Sequence, residues 1–426
     1  MLRTLFFIPN EVAGVPLFPL LLVVWCLFGV LFVGWLLWRQ GPTSDTWSYV
    51  PLFVLIGAVI YWLLPALCEP AGLPIRSYGV MLLLAVLAGT GLALWRARRM
   101  GIDADLVISM VFWMFVPGII GARAFYVIEY WANYRHDTLR ETLLAVLNVA
   151  QGGLVVYGSF IGGLAGLIVF VVRYRLSFLV MGDLFAPSFM LGLALGRLGC
   201  MLNGCCFGGT CDVPWAVTFP WSSPPHTHQV EHGMVFVHGL KLQPQAPNGV
   251  VIAEVQPDSS AAAAGLAPGQ RILKINDLPV RSPLQALSLL VQIEEPGTAV
   301  TIATGPPAEN HRFTVSGPMP RSLPVHPAQL YGSVNGLLLC LLLLAYDPFR
   351  KRDGELVALT LTIYPVCRFL LEIIRVDESA VFGTEMSISQ NVSLGVFLAG
   401  LILWGVLRTR PRGVTCVCPA SPAQHP

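Results

Sequence analysis

The chain has 426 residues, of which 55% are hydrophobic and only 12% are charged. A soluble domain carries roughly 25% charged residues, so this composition excludes an ordinary soluble protein and indicates a chain that crosses a membrane several times. The net charge of +2 gives no reason to expect a nucleic-acid partner.

Nine apolar runs are long enough to cross a bilayer, which needs about 20 residues for each crossing. The second run is short and is bounded by prolines. Met1–Gly14, which precedes the first run, lacks the pattern of a cleavable signal peptide. The first run is therefore interpreted as a true span. The nine predicted spans are Pro16–Trp38, Tyr49–Pro65, Tyr78–Trp95, Leu106–Tyr126, Gly152–Val172, Asp183–Asn203, Ala328–Tyr346, Glu355–Ile374 and Ile388–Leu407.

Basic residues indicate the orientation of these spans. Clusters of arginine and lysine follow the third, fifth, seventh and ninth spans, and Arg39 follows the first. In an alternating path these loops share one side, which the positive-inside rule assigns to the cytoplasm. The N-terminus and the long segment Gly204–Pro327 are then predicted to lie outside.

Within that outer segment, Asn248–Val315 has the pattern of a small soluble α+β domain. It resembles a PDZ domain of the bacterial kind, which binds an extended peptide at a sheet edge beside a helix. The alternative is a structural insert whose groove is blocked. The predicted elements are a strand at Gly249–Val255, a turn and helix at Pro257–Leu266, a strand at Gly269–Asp277, a helix at Pro283–Val291 and a strand at Ala299–Ala303.

Charged and polar residues collect at the outer ends of the spans. Arg197 lies six residues before Asn203, roughly 9 Å inside the outer end of its helix, and Arg368 lies at a similar depth. A charge inside such a run is expensive and normally faces a protein interior with a function there. The other polar residues at this level are Tyr78, Arg123, Tyr157 and His326.

Arg368, Glu372 and Arg375 share one face of a helix because their spacing is i, i+4 and i+7. Glu372 is expected to neutralise the arginines in part and to orient them. The alternative is a structural ion pair between helices. Two arginines beside a lipid headgroup make a bidentate phosphate site.

Several short motifs, taken in chain order, resemble the phosphatidylglycerol–prolipoprotein diacylglyceryl transferases. The resemblance extends from about Ile75 to the ninth span. The matching segments are Arg76–Gly79, Gly121–Arg123, Gly152–Gly158, Asp183–Pro187, Gly196–Gly204, His326–Tyr331 and Arg368–Glu372.

The resemblance completes the predicted domain organisation of an all-α polytopic membrane protein with about nine transmembrane helices and a small α+β PDZ-like domain. Residues 1–70 hold two extra N-terminal helices, 75–210 and 326–408 form the two parts of the transferase core, and 409–426 form a cytoplasmic tail. The outer segment 211–325 carries the PDZ-like domain at about 248–315. The expected location is the bacterial inner membrane, with this domain on the periplasmic side.

The resemblance implies transfer of the diacylglyceryl group of phosphatidylglycerol to the lipobox cysteine thiol of a preprolipoprotein. The expected products are a thioether-linked lipid and glycerol phosphate. The partners are therefore the lipid and the preprolipoprotein signal peptide, with an extended peptide as a candidate partner of the PDZ-like domain. The implied catalytic residues are Arg197, Arg368, His326 and Tyr157, and the implied substrate-binding residues are Arg197, Tyr78, Arg123, Asn203, Gly204, Gln329, Tyr331 and Glu372.

The chain departs from the family pattern at several positions. Tyr157 stands where the motif often carries histidine, a proposed thiol-activating base, and a tyrosine with a reference pKa of about 10 is a poor base. The proton of the substrate thiol then has three candidate acceptors. They are Tyr157 within a hydrogen-bond network, His326 and a phosphate oxygen. Cys200 and Cys205 stand where many members have asparagine and glutamate, and Gly332 replaces a common glutamate.

The clustered cysteines and histidines raise the question of a metal. The spacing of Cys200, Cys205, Cys206 and Cys211 fits no standard zinc pattern, and the outer side is oxidising, so a short disulfide is expected instead. The loop histidines are expected to be solvated, and neither metal nor cofactor is predicted. The tail cysteines Cys416 and Cys418 are candidates for palmitoylation. The loop histidines are His226, His228, His232 and His238.

The sequence disfavours proteolysis and transport. A zinc protease needs His-Glu-x-x-His, and the chain contains no His-Glu pair. A serine intramembrane protease needs Gly-x-Ser-Gly on a span, which neither Gly158-Ser159 nor Gly332-Ser333 supplies. A transporter would place charges near the bilayer midplane, whereas the charges of this chain collect at the predicted outer ends of its spans. A non-catalytic anchor that presents the PDZ-like domain on a degenerate transferase scaffold is the alternative to the enzyme.

Overall fold

The computed structural model describes residues 3–12, 14–41, 50–51, 53–54, 56–135, 138–147, 153, 155–243, 249–305, 309–315, 317, 319–376 and 386–414. The side chains of residues 12, 40, 132, 147, 156 and 157 also fall outside the description. The helices are α1 (Leu17–Gln40), α2 (Leu64–Ala66), α3 (Ser77–Met100), α4 (Ala104–Glu129), α5 (Trp131–Tyr134), α6 (Leu139–Leu147), α7 (Val156–Arg173), α8 (Phe178–Asn203), α9 (Pro224–Glu231), α10 (Ser260–Ala263), α11 (Pro283–Val291), α12 (Ala328–Tyr346), α13 (Glu355–Ile373) and α14 (Ile388–Thr409).

The strands are short and belong to three sheets. A π-helical turn at Val59–Leu63 precedes α2, and a 3-10 turn at Asp347–Phe349 follows α12. The strands are β1 (Thr4–Ile8), β2 (Glu11–Val12), β3 (Val15–Pro16), β4 (Leu73–Arg76), β5 (Leu240–Leu242), β6 (Val250–Val255), β7 (Arg271–Ile275), β8 (Leu278–Pro279), β9 (Ala299–Gly305) and β10 (Glu309–Thr314).

Seven helices in the described part of the chain are long and apolar enough to cross a membrane. They correspond to seven of the nine predicted spans, which makes the chain a multi-pass membrane protein. The second and fifth predicted spans coincide with shorter apolar helices at Ile56–Ala66 and Gly158–Arg173. The seven long helices are Leu17–Arg39, Ser77–Met100, Ala104–Glu129, Phe178–Asn203, Ala328–Phe349, Glu355–Ile373 and Ile388–Thr409.

The chain divides into two compact units. The first contains Gly196–Gly336 and Thr362–Ala399, and the second contains Leu2–Leu195, Leu337–Leu361 and Gly400–Pro426. The boundary falls inside helix α8, seven residues before its end at Asn203. The last turns of α8 therefore belong to the same unit as the outer segment.

In the second unit, α4 and α7 pack with their backbones in contact. A Cβ atom added at Gly162 would lie 2.1 Å from the carbonyl oxygen of Pro117, and one at Gly166 would lie 1.9 Å from that of Trp113. No real side chain fits at such distances. The i, i+4 repeat of glycines on α7 therefore explains why these two membrane helices approach so closely, as small residues commonly allow.

The second unit also contains a buried carboxylate that caps a helix. Asp183 on α8 is fully buried and accepts hydrogen bonds from the backbone N–H groups of Gly354, Leu356 and Val357 at 2.7–3.0 Å. These N–H groups start α13 and have no partner within their own helix. Arg350 pairs with the same carboxylate at 3.2 Å. Asp183 thereby fixes α13 against α8.

The domain between α8 and α12, called the outer domain after its predicted location, is an antiparallel sheet with strand order β10-β9-β7-β6-β5, and β8 pairs beside β7. Its core contains Ile252, Ile272 and Ile302, all at most 1% exposed. The core also takes residues that precede the predicted start at 248, from Trp221 to Leu242. The indole N–H of Trp221, for instance, donates to the carbonyl of Val291 at the end of α11. The hydrophobic core of this domain therefore extends beyond the predicted 248–315.

We expect Asp183→Ala to lower the free energy of unfolding by about 3–5 kcal/mol, because it breaks the buried pair with Arg350, which keeps only its second partner Asp347, and leaves the start of α13 uncapped. The measurement is thermal unfolding in detergent. The exposed Asp105→Asn is the matched control. Equal midpoints for the two variants would contradict the capping role.

Candidate functional site

Arg197 projects from the last turns of α8, inside an apolar span. It is half-buried, and its guanidinium makes no hydrogen bond or ion pair with any residue in the described ranges. It lies against α12, where a Cβ atom added at Gly332 would be 3.2 Å from the Cδ of Arg197. The glycine at 332 therefore leaves room for the arginine and supplies no charge to neutralise it.

The chain turns sharply after α8. Gly204 and Cys206 both have left-handed backbone, with φ of 86° and 59°. This conformation costs roughly 1–2 kcal/mol for a residue with a side chain, so it is uncommon for cysteine. The turn brings the Sγ atoms of Cys200, Cys205 and Cys206 within 4.8 Å of one another. All three are free thiols in the structure, so the expected disulfide is not formed there.

The segment after this turn is held on both sides by backbone hydrogen bonds. Gly208 N–H donates to the carbonyl of His326, and His326 N–H donates to that of Gly209, both at 3.0 Å. Gly209 N–H donates to the carbonyl of Ile374 at 2.8 Å. A Cβ atom at Gly208 would lie 2.6 Å from the Cβ of His326. This segment therefore holds the start of α12 and the end of α13 on either side of it.

His326 belongs to a small aromatic cluster. Its Nδ1 lies 3.4 Å from the hydroxyl oxygen of Tyr331, which accepts a hydrogen bond of 2.6 Å from the indole N–H of Trp215. His326 and Tyr331 are both half-buried. The contact between Nδ1 and the Tyr331 hydroxyl orients the imidazole ring. The Nε2 atom takes no part in this contact.

Arg368, Glu372 and Arg375 form the expected charged cluster at the end of α13. One carboxylate oxygen of Glu372 accepts from both Arg368 and Arg375. Arg368 also donates to the hydroxyl of Ser389 on α14 at 2.9 Å. All three charged side chains are at most 13% exposed. The carboxylate thus holds two guanidinium groups together and carries one negative charge for their two positive charges.

Cys206 connects these charges with Arg197. Hydrogen bonds from Cys200 and Cys205, together with the positive charges of Arg197 and Arg375, lower the pKa of the Cys206 thiol below its usual value. Gln329 is fully buried and donates to the carbonyl of Cys205 at 2.8 Å, which fixes the turn against α12. Cys206 therefore lies within electrostatic range of Arg197 and of Arg375, and Arg375 pairs with Glu372.

The other predicted site residues have different surroundings. Asn203 lies within hydrogen-bonding reach of the Cys205 thiol. Tyr78 and Arg123 belong to the second unit. Arg123 is buried and donates to the backbone carbonyls of Ala145, Val146 and Gly153, so it ties down the end of α6. The side chain of Tyr157 falls outside the described residues.

The loop histidines do not converge on one point. His226 is buried against Trp221, and burial lowers its pKa to about 4. His232 bonds to the carbonyl of His228, and His238 bonds to that of Leu290. Across the described ranges, the three cysteines are the one group of candidate metal ligands.

A model of the family described as prolipoprotein diacylglyceryl transferase matches residues 65–406. The chain belongs to this family. A similar protein, the phosphatidylglycerol–prolipoprotein diacylglyceryl transferase of Rhodopirellula baltica, is 35% identical over 99% of this chain and 92% of its own length. The Synechocystis transferase is 32% identical over 38% of this chain and 55% of its own, and transferase 2 of Clostridium perfringens is 23% identical over 82% and 96%.

Three contributors to this site were missed in the sequence. Trp215 and Ser389 act through partners 116 and 21 residues away, so no local pattern marks them. Gly208 could have been predicted from the sequence, because the Gly208-Gly209 pair is typical of a segment whose backbone lies close to another chain segment.

We expect Gly208→Ala to destabilise the protein by about 1–3 kcal/mol, because the new methyl group meets the Cβ and carbonyl oxygen of His326 and the carbonyl oxygen of Ile374. Thermal unfolding in detergent measures the effect. The control, Gly395→Ala on α14, has open space around it and is expected to leave the midpoint unchanged or raise it. A neutral Gly208→Ala would show that the segment is not tightly held.

Proposed function

We propose that this protein transfers the diacylglyceryl group of phosphatidylglycerol to the lipobox cysteine thiol of a preprolipoprotein, the first step of lipoprotein maturation. Family membership supports this reaction, and so do the substrates in the printed names of the relatives. The proposed residue roles rest on Arg197. Its guanidinium is half-buried in an apolar span and makes no hydrogen bond or ion pair with the described residues.

Arg197 is the proposed ligand of the lipid phosphate. A guanidinium offers two parallel N–H groups that match two phosphate oxygens, and such charge-assisted pairs are about twice as strong as neutral hydrogen bonds. Arg197 lies roughly 9 Å from the end of α8, which suits a headgroup at the interface. No described carboxylate forms an ion pair with Arg197, and an anionic lipid there would supply such a partner.

Arg368 is the proposed stabiliser of the leaving group. When the bond between glycerol carbon and phosphate oxygen breaks, the phosphate gains a second negative charge. Preorganised positive groups aimed at developing charge lower the barrier. Glu372 and Ser389 hold the Arg368 guanidinium in place before the reaction, which avoids the cost of ordering it later.

The attacking thiol needs a proton acceptor, since a free cysteine has a pKa of about 8.5. His326 is one proposed base, because Tyr331 and Trp215 orient its ring. Tyr157 in a network and a phosphate oxygen remain alternatives. Tyr78, Arg123, Asn203, Gly204 and Gln329 are proposed to shape the lipid and peptide sites.

The bacterial inner membrane is the proposed location, with nine spans and the outer domain on the periplasmic side. We also propose a PDZ-like fold for this domain and an extended peptide as its partner. β5 and β10 end the described sheet, so a peptide strand would add beside one of them, and Val237 already bridges Leu240 at the free edge of β5. The packing of Trp221 on α11 favours the competing blocked groove. The non-catalytic anchor gains no support from the relatives, which are named as transferases.

Arg197→Ala is expected to lower the transfer rate about 10²–10³-fold, by analogy with loss of one electrostatic donor at a transition state. The measurement is thioether formation on a lipobox peptide in phosphatidylglycerol vesicles, followed by mass spectrometry. Arg197→Lys keeps the charge without the bidentate fork and is expected to be intermediate. Arg281→Ala, in an exposed loop of the outer domain, is the control. An Arg197→Ala variant that inserts normally and keeps full activity would refute the phosphate role.

Replacing residues 221–320 with a short glycine–serine linker is expected to spare transfer to a short lipobox peptide but to change the relative rates on different full-length preprolipoproteins. The replacement is feasible because the Ser322 N–H bonds to the carbonyl of Phe219 at 2.8 Å, so the two ends are adjacent. Competition between two preprolipoproteins in vesicles measures the preference. Identical preferences with and without the domain would argue against peptide recognition.

A further inference from the structure

The three thiols beside Arg197 have the arrangement of a metal site with three protein ligands. The Sγ atoms of Cys200, Cys205 and Cys206 lie within 4.8 Å of one another, each half-buried. Zinc binds thiolate sulfur at about 2.3 Å in a tetrahedron, so three thiolates around one ion must come this close. Soft thiolate ligands favour zinc over magnesium, calcium or manganese.

The backbone geometry favours three converging thiols over a disulfide between the adjacent residues Cys205 and Cys206. Adjacent Cα atoms lie about 3.8 Å apart, below the usual range of about 4.4–6.8 Å for disulfide-bonded cysteines, so Cys205 and Cys206 are poorly placed to bridge each other. The left-handed backbone of Cys206 and Gly204 turns both thiols toward Cys200. Strained backbone of this kind clusters at functional sites.

The surroundings suit a charged metal complex. Zinc with three thiolates carries a net charge of −1. Arg197 precedes Cys200 by three residues on α8 and so shares a helical face with it. The charges of Arg197 and Arg375 both reach Cys206. Gln329 holds the Cys205 carbonyl, which fixes the turn that carries two of the ligands.

We propose that Cys200, Cys205 and Cys206 bind a zinc ion whose fourth position takes the lipobox thiol of the substrate. Three protein ligands and one open position are typical of catalytic rather than structural zinc. This inference rests on the proposed function, and it assigns thiol activation to the cysteines rather than to a side-chain base. It also places the nucleophile beside the arginine proposed to hold the lipid phosphate.

A zinc ion held by Cys200, Cys205 and Cys206 would act as a Lewis acid that stabilises the peptide thiolate, and the proton of the thiol would go to water. That sulfur then attacks the glyceryl carbon, a C–S bond forms, and the C–O bond to phosphate breaks. Glycerol phosphate leaves with the electron pair of the C–O bond, so its phosphate carries one more negative charge than it did in the lipid. No oxidant or reductant is needed.

The first experiment measures metal binding by the full-length chain in detergent. After incubation with Zn²⁺ and gel filtration, elemental analysis is expected to give one zinc ion per chain. Cys205→Ser and Cys206→Ser are expected to reduce this to the level of the triple serine variant. Cys211→Ser is the matched control, since Cys211 is also half-buried but lies outside the group. Thermal unfolding of each variant separates loss of metal from loss of fold.

The second experiment tests the open position with Co²⁺ as a probe. A lipobox peptide is expected to increase the thiolate-to-cobalt charge-transfer absorption, and the same peptide with serine in place of cysteine is expected to leave it unchanged. Equal zinc content in the triple serine variant would overturn the site. A disulfide among the three cysteines in protein purified without reductant would also overturn it.

The two proposals fail in different ways. Transfer that proceeds at the same rate after the metal is removed by a chelator would overturn the zinc site's role and leave the proposed function standing. A chain that binds zinc and the peptide thiol but forms no thioether would contradict the proposed function and leave the site standing.

Discussion

The charge of Arg197 within an apolar span is the constraint on which the rest of the site depends. A guanidinium inside an apolar span loses most of its hydration, and the structure gives it no hydrogen-bonding partner among the described residues. Gly332 removes the side chain that would otherwise occupy its space on α12. The protein therefore holds a positive charge within an apolar span, and the proposed anionic lipid would relieve the cost of placing it there.

A short backbone segment assembles the groups around this charge. Gly208 and Gly209 bond to His326 on one side and to Ile374 on the other. Helices that pack in a membrane have little hydrophobic drive between them, so hydrogen bonds and close contacts set their relative positions. Because this segment follows directly from α8, it connects three helix ends within six residues of Asn203. Glycine at 208 is the only residue that fits this approach.

The sequence was sufficient for the parts of the fold that depend on local pattern. Hydropathy located seven runs that form helices long and apolar enough to cross a membrane, and the i, i+4, i+7 spacing located the cluster of Arg368, Glu372 and Arg375. It was not sufficient where distant residues meet. The convergence of Cys205 and Cys206 on Cys200 depends on left-handed backbone at Cys206, which no propensity predicts. The core of the outer domain begins near Trp221 because that segment packs on α11, which lies 62 residues further along the chain.

The side chains near Arg197 determine the charge around it. Cys205 and Gly332 supply no carboxylate there. Three thiols now lie beside the arginine instead. The proposed zinc ion with three thiolates would carry a net charge of −1, as a carboxylate does. Together with Glu372 it would leave one net positive charge on the three arginines at 197, 368 and 375, which the phosphate of an incoming lipid would meet. Activation of the thiol by zinc would also remove the need for a histidine at position 157, where this chain has tyrosine.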